Sequence, residues 1–335
     1  MSRSDSQMSI SVVIPTYRRP VDLRRCLESL QAQTVPPDEV LIIVRDTDEC
    51  TREFLSSVSL EPLRIRVVDV GVPGQVAALN AGLESAECDI VAITDDDAAP
   101  RPDWLDGIQA HFARDSRVGG VGGRDWVHEN GMVEDGNRSV VGKVQWFGRV
   151  IGNHHLGAGP ARSVDVLKGA NMSYRRAAIG SMRFDTRLRG TGAQCLNDMD
   201  FSLRMSRRNW TLIYDPAVAV DHYPAPRVDE GPRSGFNAVA KSDEAHNETF
   251  ILLEHLTPIR RAVFLVWASL VGSVSRPGLV NFLRLLLTGR PHAFALWKAS
   301  RSGRASGLRA FRANSQLRHA VLRNSETADI YEAPH

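Results

Sequence analysis

The chain has 335 residues, of which 43% are apolar and 24% charged, and it contains 26 glycines and 17 prolines. This composition excludes collagen-like, other fibrous and wholly disordered proteins, and the length allows one large domain or a domain with an appendage. The four cysteines are too sparse for a disulfide scaffold and form no C-x-x-C pair, which favours a reducing compartment. The polar N-terminus leads into a strand pattern without the apolar stretch of a secretion signal, so we expect a cytoplasmic protein.

The charges are unevenly distributed along the chain. Residues 255–323 contain twelve arginines and lysines and no acidic residue, whereas the rest of the chain is acidic overall. This asymmetry indicates a polyanionic surface as the partner of the basic segment. We predict a folded domain over residues 1–244 and a basic helical extension over residues 245–335.

Apolar, β-branched runs alternate with amphipathic stretches between residues 10 and 124. This is the pattern of βαβ units, so we predict an α/β protein with a mainly parallel sheet flanked by helices. The predicted strands and helices, in chain order, are strand 10–14, helix 21–33, strand 40–44, strand 63–68, helix 76–85, strand 90–94 and strand 118–122.

The second part of the domain has a mixed pattern. Residues 129–160 are glycine-rich with little periodicity, which predicts loops. After about residue 245 the pattern predicts helices only. The elements predicted between these two regions are strands 164–167 and 170–174, helix 198–208, and strands 210–214 and 217–221.

Three consecutive acidic residues, Asp95, Asp96 and Asp97, follow the apolar strand 90–94. Ligands bind beyond the carboxyl ends of strands in open α/β sheets. Asp95 and Asp97 of an extended segment point to the same side, where both could hold a hard cation such as Mg²⁺ or Mn²⁺. The alternative is a solvated acidic turn that caps the helix predicted to begin near residue 102.

Further carboxylates and a histidine occur near residues 200 and 222. Asp198 and Asp200 lie at the start of a predicted helix, which they could simply cap. His222 follows a predicted strand, where it could ligate a metal, bind phosphate or serve a structural role. Gly71–Gln75 is neither a Walker loop nor a dinucleotide-binding fingerprint, and by itself it is a turn.

Eight short pieces between residues 9 and 223 together resemble an inverting family 2 glycosyltransferase with the GT-A fold. Each piece is short, and their number and order make the resemblance specific. The pieces are 12–19 (VVIPTYRR), 73–75 (PGQ), 80–83 (NAGL), 89–97 (DIVAITDDD), 168–176 (KGANMSYRR), 184–185 (FD), 197–204 (NDMDFSLR) and 220–222 (VDH).

The resemblance implies a nucleotide-binding half over about residues 9–124 and an acceptor half over about 125–230. It implies that Asp198 is the catalytic base and that Asp95, Asp97 and His222 hold Mg²⁺ or Mn²⁺ with the donor diphosphate. The residues assigned to the nucleotide-sugar donor are Pro15, Thr16, Tyr17, Arg19, Asp46, Gln75, Asn80, Asp95 and Asp96. The residues assigned to the acceptor are Trp146, Gly169, Asn171 and Asn197.

Two positions depart from the family pattern. The acidic pair that normally follows the second strand is replaced by Val44-Arg45-Asp46-Thr47-Asp48, so only Asp46 or Asp48 is available to the nucleobase. Asn197 stands where the family has Glu before the catalytic Asp, which removes a charge and leaves the base.

The resulting expectation is an enzyme that moves a hexosyl or deoxyhexosyl group to a hydroxyl of a glycan or lipid-linked acceptor, in cell-surface polysaccharide or glycoconjugate synthesis. Three alternatives remain open. A nucleotidyltransferase would carry a glycine-rich basic loop after the first strand, a non-catalytic binding module would bind the nucleotide-sugar without cleaving it, and a nucleic-acid-binding protein is disfavoured by the acidic domain.

The basic extension is predicted to lie on an anionic membrane surface, at the inner face of the cell membrane. Residues 262–275 are 14 uncharged residues, about 21 Å of helix, short of the roughly 30 Å hydrocarbon core. Joining them to 279–287 would bury Arg276, so an in-plane or re-entrant helical pair fits better, and residues 309–323 have the composition of an interfacial helix. Packing on the domain or on a second subunit of a homo-oligomer is the alternative.

Overall fold

The computed structural model describes residues 8–225 and 235–331, with side chains up to residue 316 in the last helix. It forms two compact units. The first comprises Met1–Gln145 with Val150–Gly235, and the second comprises Trp146–Arg149 with Phe236–His335. The functional halves predicted within residues 1–244 stay a prediction.

The first unit is a mixed α/β structure. Its strands are β1 (Ile10–Thr16), β2 (Glu39–Arg45), β3 (Ile65–Val70), β4 (Ile90–Ile93), β5 (Ala98–Pro100), β6 (Val118–Glu129), β7 (Met132–Val133), β8 (Lys143–Val144), β9 (Val150–Ile151), β10 (Arg162–Val164), β11 (Met172–Arg175) and β12 (Thr211–His222). Its helices are α1 (Pro20–Gln31), α2 (Glu49–Ser57), α3 (Gln75–Ser85), α4 (Trp104–Arg114), α5 (Arg176–Ile179) and α6 (Asn197–Arg207).

The central sheet has the strand order β10-β12-β6-β11-β4-β1-β2-β3. Strands β4, β1, β2 and β3 are parallel to one another, and β6 is parallel to β12. Strand β11 runs antiparallel between β4 and β6. The start of β11 therefore lies at the same edge of the sheet as the carboxyl ends of β1, β4 and β12.

Alternate residues of the central strands enter two different apolar clusters. Val13, Ile43 and Ile93 belong to the cluster that packs against α3 and α6, whereas Val12 and Ile42 belong to the one that packs against α1 and α4. Because successive strand side chains point to opposite faces, the sheet is buried on both sides. This explains why its strands read as continuous apolar runs.

Several element boundaries differ from the sequence prediction. Strand β3 begins at Ile65 rather than residue 63, and the strands predicted at 210–214 and 217–221 are one strand, β12. A register shift between Asp215 and Val220 interrupts the pairing of β12 with β6 and explains the apparent division. The region 129–160, predicted as loops, also contains the short strands β7 to β9.

The second unit is helical among its described residues. Its helices are α7 (Ala238–His255), α8 (Pro258–Leu270), α9 (Leu279–Leu287) and α10 (Ala293–Tyr331). Helix α7 begins at Ala238, before the predicted boundary at 245, and α8 ends at Leu270 within the predicted apolar run 262–275. Over the part of the chain that the structure describes, no helix has both the length and the apolarity needed to cross a bilayer.

Candidate active site

The predicted acidic cluster lies at the edge where β1, β4 and β12 end. The short strand β5, which follows the acidic turn, pairs with β12 and places Ala98 opposite His222. Two backbone amides that follow β12 also donate hydrogen bonds to Asp97. Tyr223 N donates to the Asp97 carbonyl and Ala225 N donates to Asp97 Oδ2, both at 2.8 Å. The backbone thus brings the Asp97 carboxylate to the His222 ring.

Asp95, Asp97 and His222 form a cluster suited to a metal ion. One potential ligand atom from each residue lies within 4.8 Å of the others, and His222 Nε2 is 3.3 Å from Asp97 Oδ1. Both ring nitrogens of His222 are buried without a hydrogen-bond partner among the described residues. Two carboxylates and an otherwise unbonded imidazole fit a divalent cation such as Mn²⁺.

The pKa values in this cluster shift in different directions, toward ionised Asp97, protonated His222 and neutral Asp95. Burial alone would raise the pKa of Asp97, but His222, the Ala225 amide and Arg19 lower it to about 2. Burial alone would lower the pKa of His222, but Asp125 and Asp97 raise it to about 9. Burial and the neighbouring Asp97 raise the pKa of Asp95.

Asp96 is bonded to residues outside the cluster of Asp95, Asp97 and His222. Its Oδ2 accepts a hydrogen bond from Thr16 Oγ1 at 2.8 Å, and its Oδ1 accepts one from the Arg19 guanidinium at 2.9 Å. Burial raises the pKa of Asp96 to about 7 even though Arg19 opposes this shift. Asp96 therefore ties the end of β1 to the acidic turn.

Two residues of this site were missed at the sequence level, Asp125 and Lys168. Asp125 lies on β6 and is 1% exposed; its Oδ2 pairs with Lys168 Nζ and is 3.6 Å from His222 Nδ1. Asp125 Oδ1 has no hydrogen-bond partner among the described residues. Burial opposes ionisation, but His222 and Lys168 lower the pKa of Asp125 to about 2. The available signal was a carboxylate closely following the apolar, glycine-rich run 118–123 of β6.

Asp198 lies in the first turn of α6. Its two oxygens accept backbone hydrogen bonds, Oδ1 from Met199 N at 2.8 Å and Oδ2 from Gly169 N at 3.1 Å. Burial raises the pKa of Asp198, and these two amides oppose the shift. Asp200 is 4% exposed and pairs with Arg204 one turn later at 2.7 Å. The two carboxylates therefore have different surroundings.

The loop before α6 covers the N-terminus of α3. Gln194 Oε1 accepts a bond from Val76 N at 2.9 Å and lies 2.6 Å from the position that a Cβ on Gly74 would take. Asn197 Nδ2 donates to Gln75 Oε1 at 3.3 Å. The predicted donor residue Gln75 and the predicted acceptor residue Asn197 are thus direct neighbours.

Two residues that were predicted to bind ligands, Asn80 and Asn171, form hydrogen bonds inside the protein instead. Both ends of the Asn80 amide bond to the backbone of Phe184. Asn171 is 1% exposed, accepts a bond from Trp104 Nε1 and donates one to the Val218 carbonyl. These placements do not support a donor contact for Asn80 or an acceptor contact for Asn171, because both amides already hold elements together.

The remaining predicted residues are distributed over the two units. Asp46 is exposed near Gly71, whereas Asp48 is fully buried and caps α2 through Thr51 N, so only Asp46 is open to a ligand. Pro15 lies near the end of β1 and Tyr17 just after it, and both are half-buried. The Gly169 amide donates a hydrogen bond to Asp198. Trp146 is 61% exposed and belongs to the second unit.

A sequence model of the family described as Glycosyl transferase family 2 matches residues 11–179. The chain belongs to this family. It is 32% identical over 103 residues to Glycosyltransferase AglE of Haloferax volcanii, a stretch that covers 29% of this chain and 33% of that relative. The matched part of this family 2 chain therefore corresponds to about a third of the relative's length.

Solved structures share the fold at low sequence identity. GalNAc-T7 with UDP, GalNAc and Mn²⁺ has a TM-score of 0.61 at 16% identity, covering 78% of this chain and 51% of that one. The mannosyltransferase PcManGT from Pyrobaculum calidifontis, in complex with GDP-Man and Mn²⁺, has a TM-score of 0.51 at 17% identity, covering 91% and 85%. The first unit therefore has the GT-A fold that the sequence predicts.

Proposed function

We propose that the chain is a metal-dependent, inverting glycosyltransferase that moves a hexosyl or deoxyhexosyl group from a nucleotide-sugar to an acceptor hydroxyl. The observation that carries this proposal is the grouping of Asp95, Asp97 and His222 at the sheet edge that also holds Asp198. These three side chains would hold Mg²⁺ or Mn²⁺, which supplies positive charge to the departing diphosphate. The relatives with bound nucleotide and Mn²⁺ support the same assignment.

Asp198 is the base in this proposal. A buried carboxylate with a raised pKa is a better proton acceptor than an ordinary Asp. The Met199 and Gly169 amides fix both oxygens, which orients the carboxylate toward one direction of approach. Asp200 is a poorer candidate because its carboxylate is paired with Arg204.

Donor contacts are assigned to the end of β1, the Asp46 region and the α3–α6 contact between Gln75 and Asn197. Acceptor contacts are assigned to Gly169 and Asn197 of the first unit. The exposed Trp146 of the second unit stays a predicted acceptor residue, whose ring can stack on a sugar face. A glycan or lipid-linked acceptor in cell-surface polysaccharide or glycoconjugate synthesis fits a protein whose second unit is basic. We place the enzyme in the cytoplasm, peripheral at the inner face of the membrane.

A donor screen tests the proposal directly. The full chain is incubated with a panel of nucleotide-sugars and Mn²⁺ or Mg²⁺, and the released nucleotide is identified by chromatography. Release of a nucleoside diphosphate that stops in EDTA supports the proposal. Formation of a nucleoside triphosphate and a sugar 1-phosphate when pyrophosphate is added indicates a nucleotidyltransferase, and donor binding without cleavage indicates a binding module. The anomeric configuration of the product, read by NMR, decides between inversion and retention.

A further inference from the structure

The second unit has a continuous series of exposed apolar side chains along α8, the connecting turn and α9. More than half of the large apolar side chains exposed in the described structure lie between residues 259 and 294. Leu287 is 88% exposed, and the others are each exposed by more than a third. We call this set the apolar face; it comprises Ile259, Val266, Leu270, Val271, Val274, Leu279, Val280, Leu283, Leu286, Leu287 and Phe294.

The two helices form a fixed hairpin. Gly272 and Pro277 are bridged through the backbone, and Gly278 N donates to the Val271 carbonyl at 3.0 Å. The opposite sides of the helices are buried, with Phe264 and Phe282 at 0% and 8% exposure. The exposed residues are therefore one side of an ordered amphipathic pair.

Arg276, at the turn of the hairpin, is not available to solvent or lipid. Its guanidinium is paired with Glu248 at 2.9 Å and also with Glu244, both on α7. Arg304 of α10 donates to the carbonyl of Pro277 at 3.0 Å and to that of Arg276. These bonds fix the turn to α7 and α10. The positive charge of Arg276, which made burial of residues 262–287 in a membrane unfavourable, is thus neutralised by Glu244 and Glu248 inside the protein.

Basic residues near α9 and at the start of α10 are exposed, whereas Arg260 and Arg261 of α8 are half-buried. Arg284 and Arg290 lie on and just after α9, and Lys298 and Arg301 are exposed on α10. No acidic residue occurs between 255 and 325 to compensate them. An apolar face bordered by lysine and arginine is the composition of a helix pair that lies in the interface of an anionic bilayer.

We propose that the apolar face inserts into the headgroup and upper acyl region of an anionic lipid bilayer, with α8 and α9 lying in the membrane plane. Helix α8 has 13 residues and α9 has 9, about 20 Å and about 14 Å of helix, so neither crosses the hydrocarbon core. A second copy of the chain is a poorer occupant, because a two-fold contact pairs the same surface with itself, and residues 255–325 contain no acidic residue to compensate the basic ones. The proposal deepens the membrane setting of the proposed function and rests on it.

Vesicle binding of the full chain tests the insertion. The variant Val280→Ser/Leu283→Ser removes apolar surface without changing charge, and Val67→Ser on β3 is the matched control at another exposed valine. We expect the wild type and the control to bind phosphatidylglycerol–phosphatidylcholine vesicles and the double variant to bind about tenfold or more weakly. Vesicle binding by the wild type should weaken in high salt, because salt screens the attraction between basic residues and anionic lipid. Part of the binding should remain, because salt does not screen the burial of apolar side chains.

Other outcomes overturn the proposal. Equal vesicle binding by the double variant and the wild type would show that surface charge alone holds the protein. A dimer in sedimentation that dissociates in the double variant, without vesicle binding, would assign the face to a second copy. Circular dichroism checks that each variant is folded. Donor cleavage is measured on the same samples: a wild type that cleaves the donor and does not bind vesicles contradicts this inference and leaves the proposed transfer reaction standing.

Discussion

Asp198 shows how a single side chain acquires a chemical role from its surroundings. Burial raises its pKa, so the protonated form persists to a higher pH than for an ordinary Asp near 3.8. A base must be deprotonated, and activity should therefore rise with pH through this raised pKa. We predict that Asp198→Asn lowers turnover by about 10²–10⁴ and leaves donor affinity nearly unchanged, and that the acid limb of the wild-type pH–rate profile lies above the usual carboxyl range.

The measurement is steady-state turnover against pH together with donor binding by calorimetry. Asp69→Asn, at an exposed carboxylate on β3, is the control and should behave as the wild type. A folded Asp198→Asn protein with normal turnover would remove Asp198 from the reaction.

Asp125 is the residue-scale finding that the sequence did not reveal. Its carboxylate lies 3.6 Å from His222 Nδ1, on the side of the ring away from Asp97, and Lys168 holds it there. A carboxylate behind a metal-binding histidine orients the ring and its protons. We predict that Asp125→Asn weakens Mn²⁺ binding by about 10–100-fold, as measured by electron paramagnetic resonance of free Mn²⁺. Asp165→Asn, at a half-buried carboxylate paired with Lys143, should leave the affinity unchanged.

The sequence located Asp95, Asp97 and His222 because each follows a strand, and strand ends are where α/β sheets bind ligands. Asp125 lies within a strand, and its contact with His222 requires the pairing of β6 with β12, nearly a hundred residues later in the chain. The motif match also marked Asn80 and Asn171. Similarity alone does not separate a side chain that touches a ligand from one that braces the backbone around it.

At the scale of elements, the apolar strands and the helices that cover them were predictable, because buried parallel strands are long apolar runs. Helix α2 was not predicted, since it has only nine residues and buries only Thr51 and Phe54, which leaves few apolar positions from which to recognise a helical period. The division of β12 in the prediction has a different origin. The residues of β12 between Asp215 and Val220 leave the regular ladder, which interrupts the alternation that a strand prediction reads.

That irregularity predicts a strong effect of one small substitution. A Cβ on Gly123 of β6 would lie 1.6 Å from the Val218 carbonyl oxygen and 2.5 Å from the Asp215 carbonyl oxygen. Backbone atoms have little freedom to move away, so we predict that Gly123→Ala lowers the free energy of unfolding by about 4 kcal/mol or more. Thermal and urea unfolding measure the change. Gly152→Ala is the control, since its Cβ would meet only His154 Nδ1 at 3.9 Å; equal stability of both variants would contradict the close approach.

At the scale of the whole molecule, the two units differ in how they use charge. The first unit concentrates carboxylates at one sheet edge and leaves the buried His222 nitrogens without a hydrogen bond among the described residues. The second unit neutralises Arg276 with Glu244 and Glu248, buries Arg304, and exposes Arg284 and Arg290 beside apolar residues. The sequence predicted the overall charge of each part. It did not predict which charges form ion pairs inside the protein, because the paired residues, such as Arg276 and Glu244, are distant in the chain.

The cluster of Asp95, Asp97 and His222 predicts that a bound cation would stabilise the folded chain. A ligand that binds the folded state and not the unfolded chain stabilises by mass action, about 2.7 kcal/mol at a concentration 100 times its Kd. We predict that saturating Mn²⁺ raises the melting temperature of the wild type by about 4 °C and that EDTA reverses the shift. Asp97→Asn removes a ligand and should abolish most of the increase, whereas Asp69→Asn should retain it. Differential scanning calorimetry measures all four conditions, and an equal shift in the Asp97 variant would place the stabilising cation outside the cluster of Asp95, Asp97 and His222.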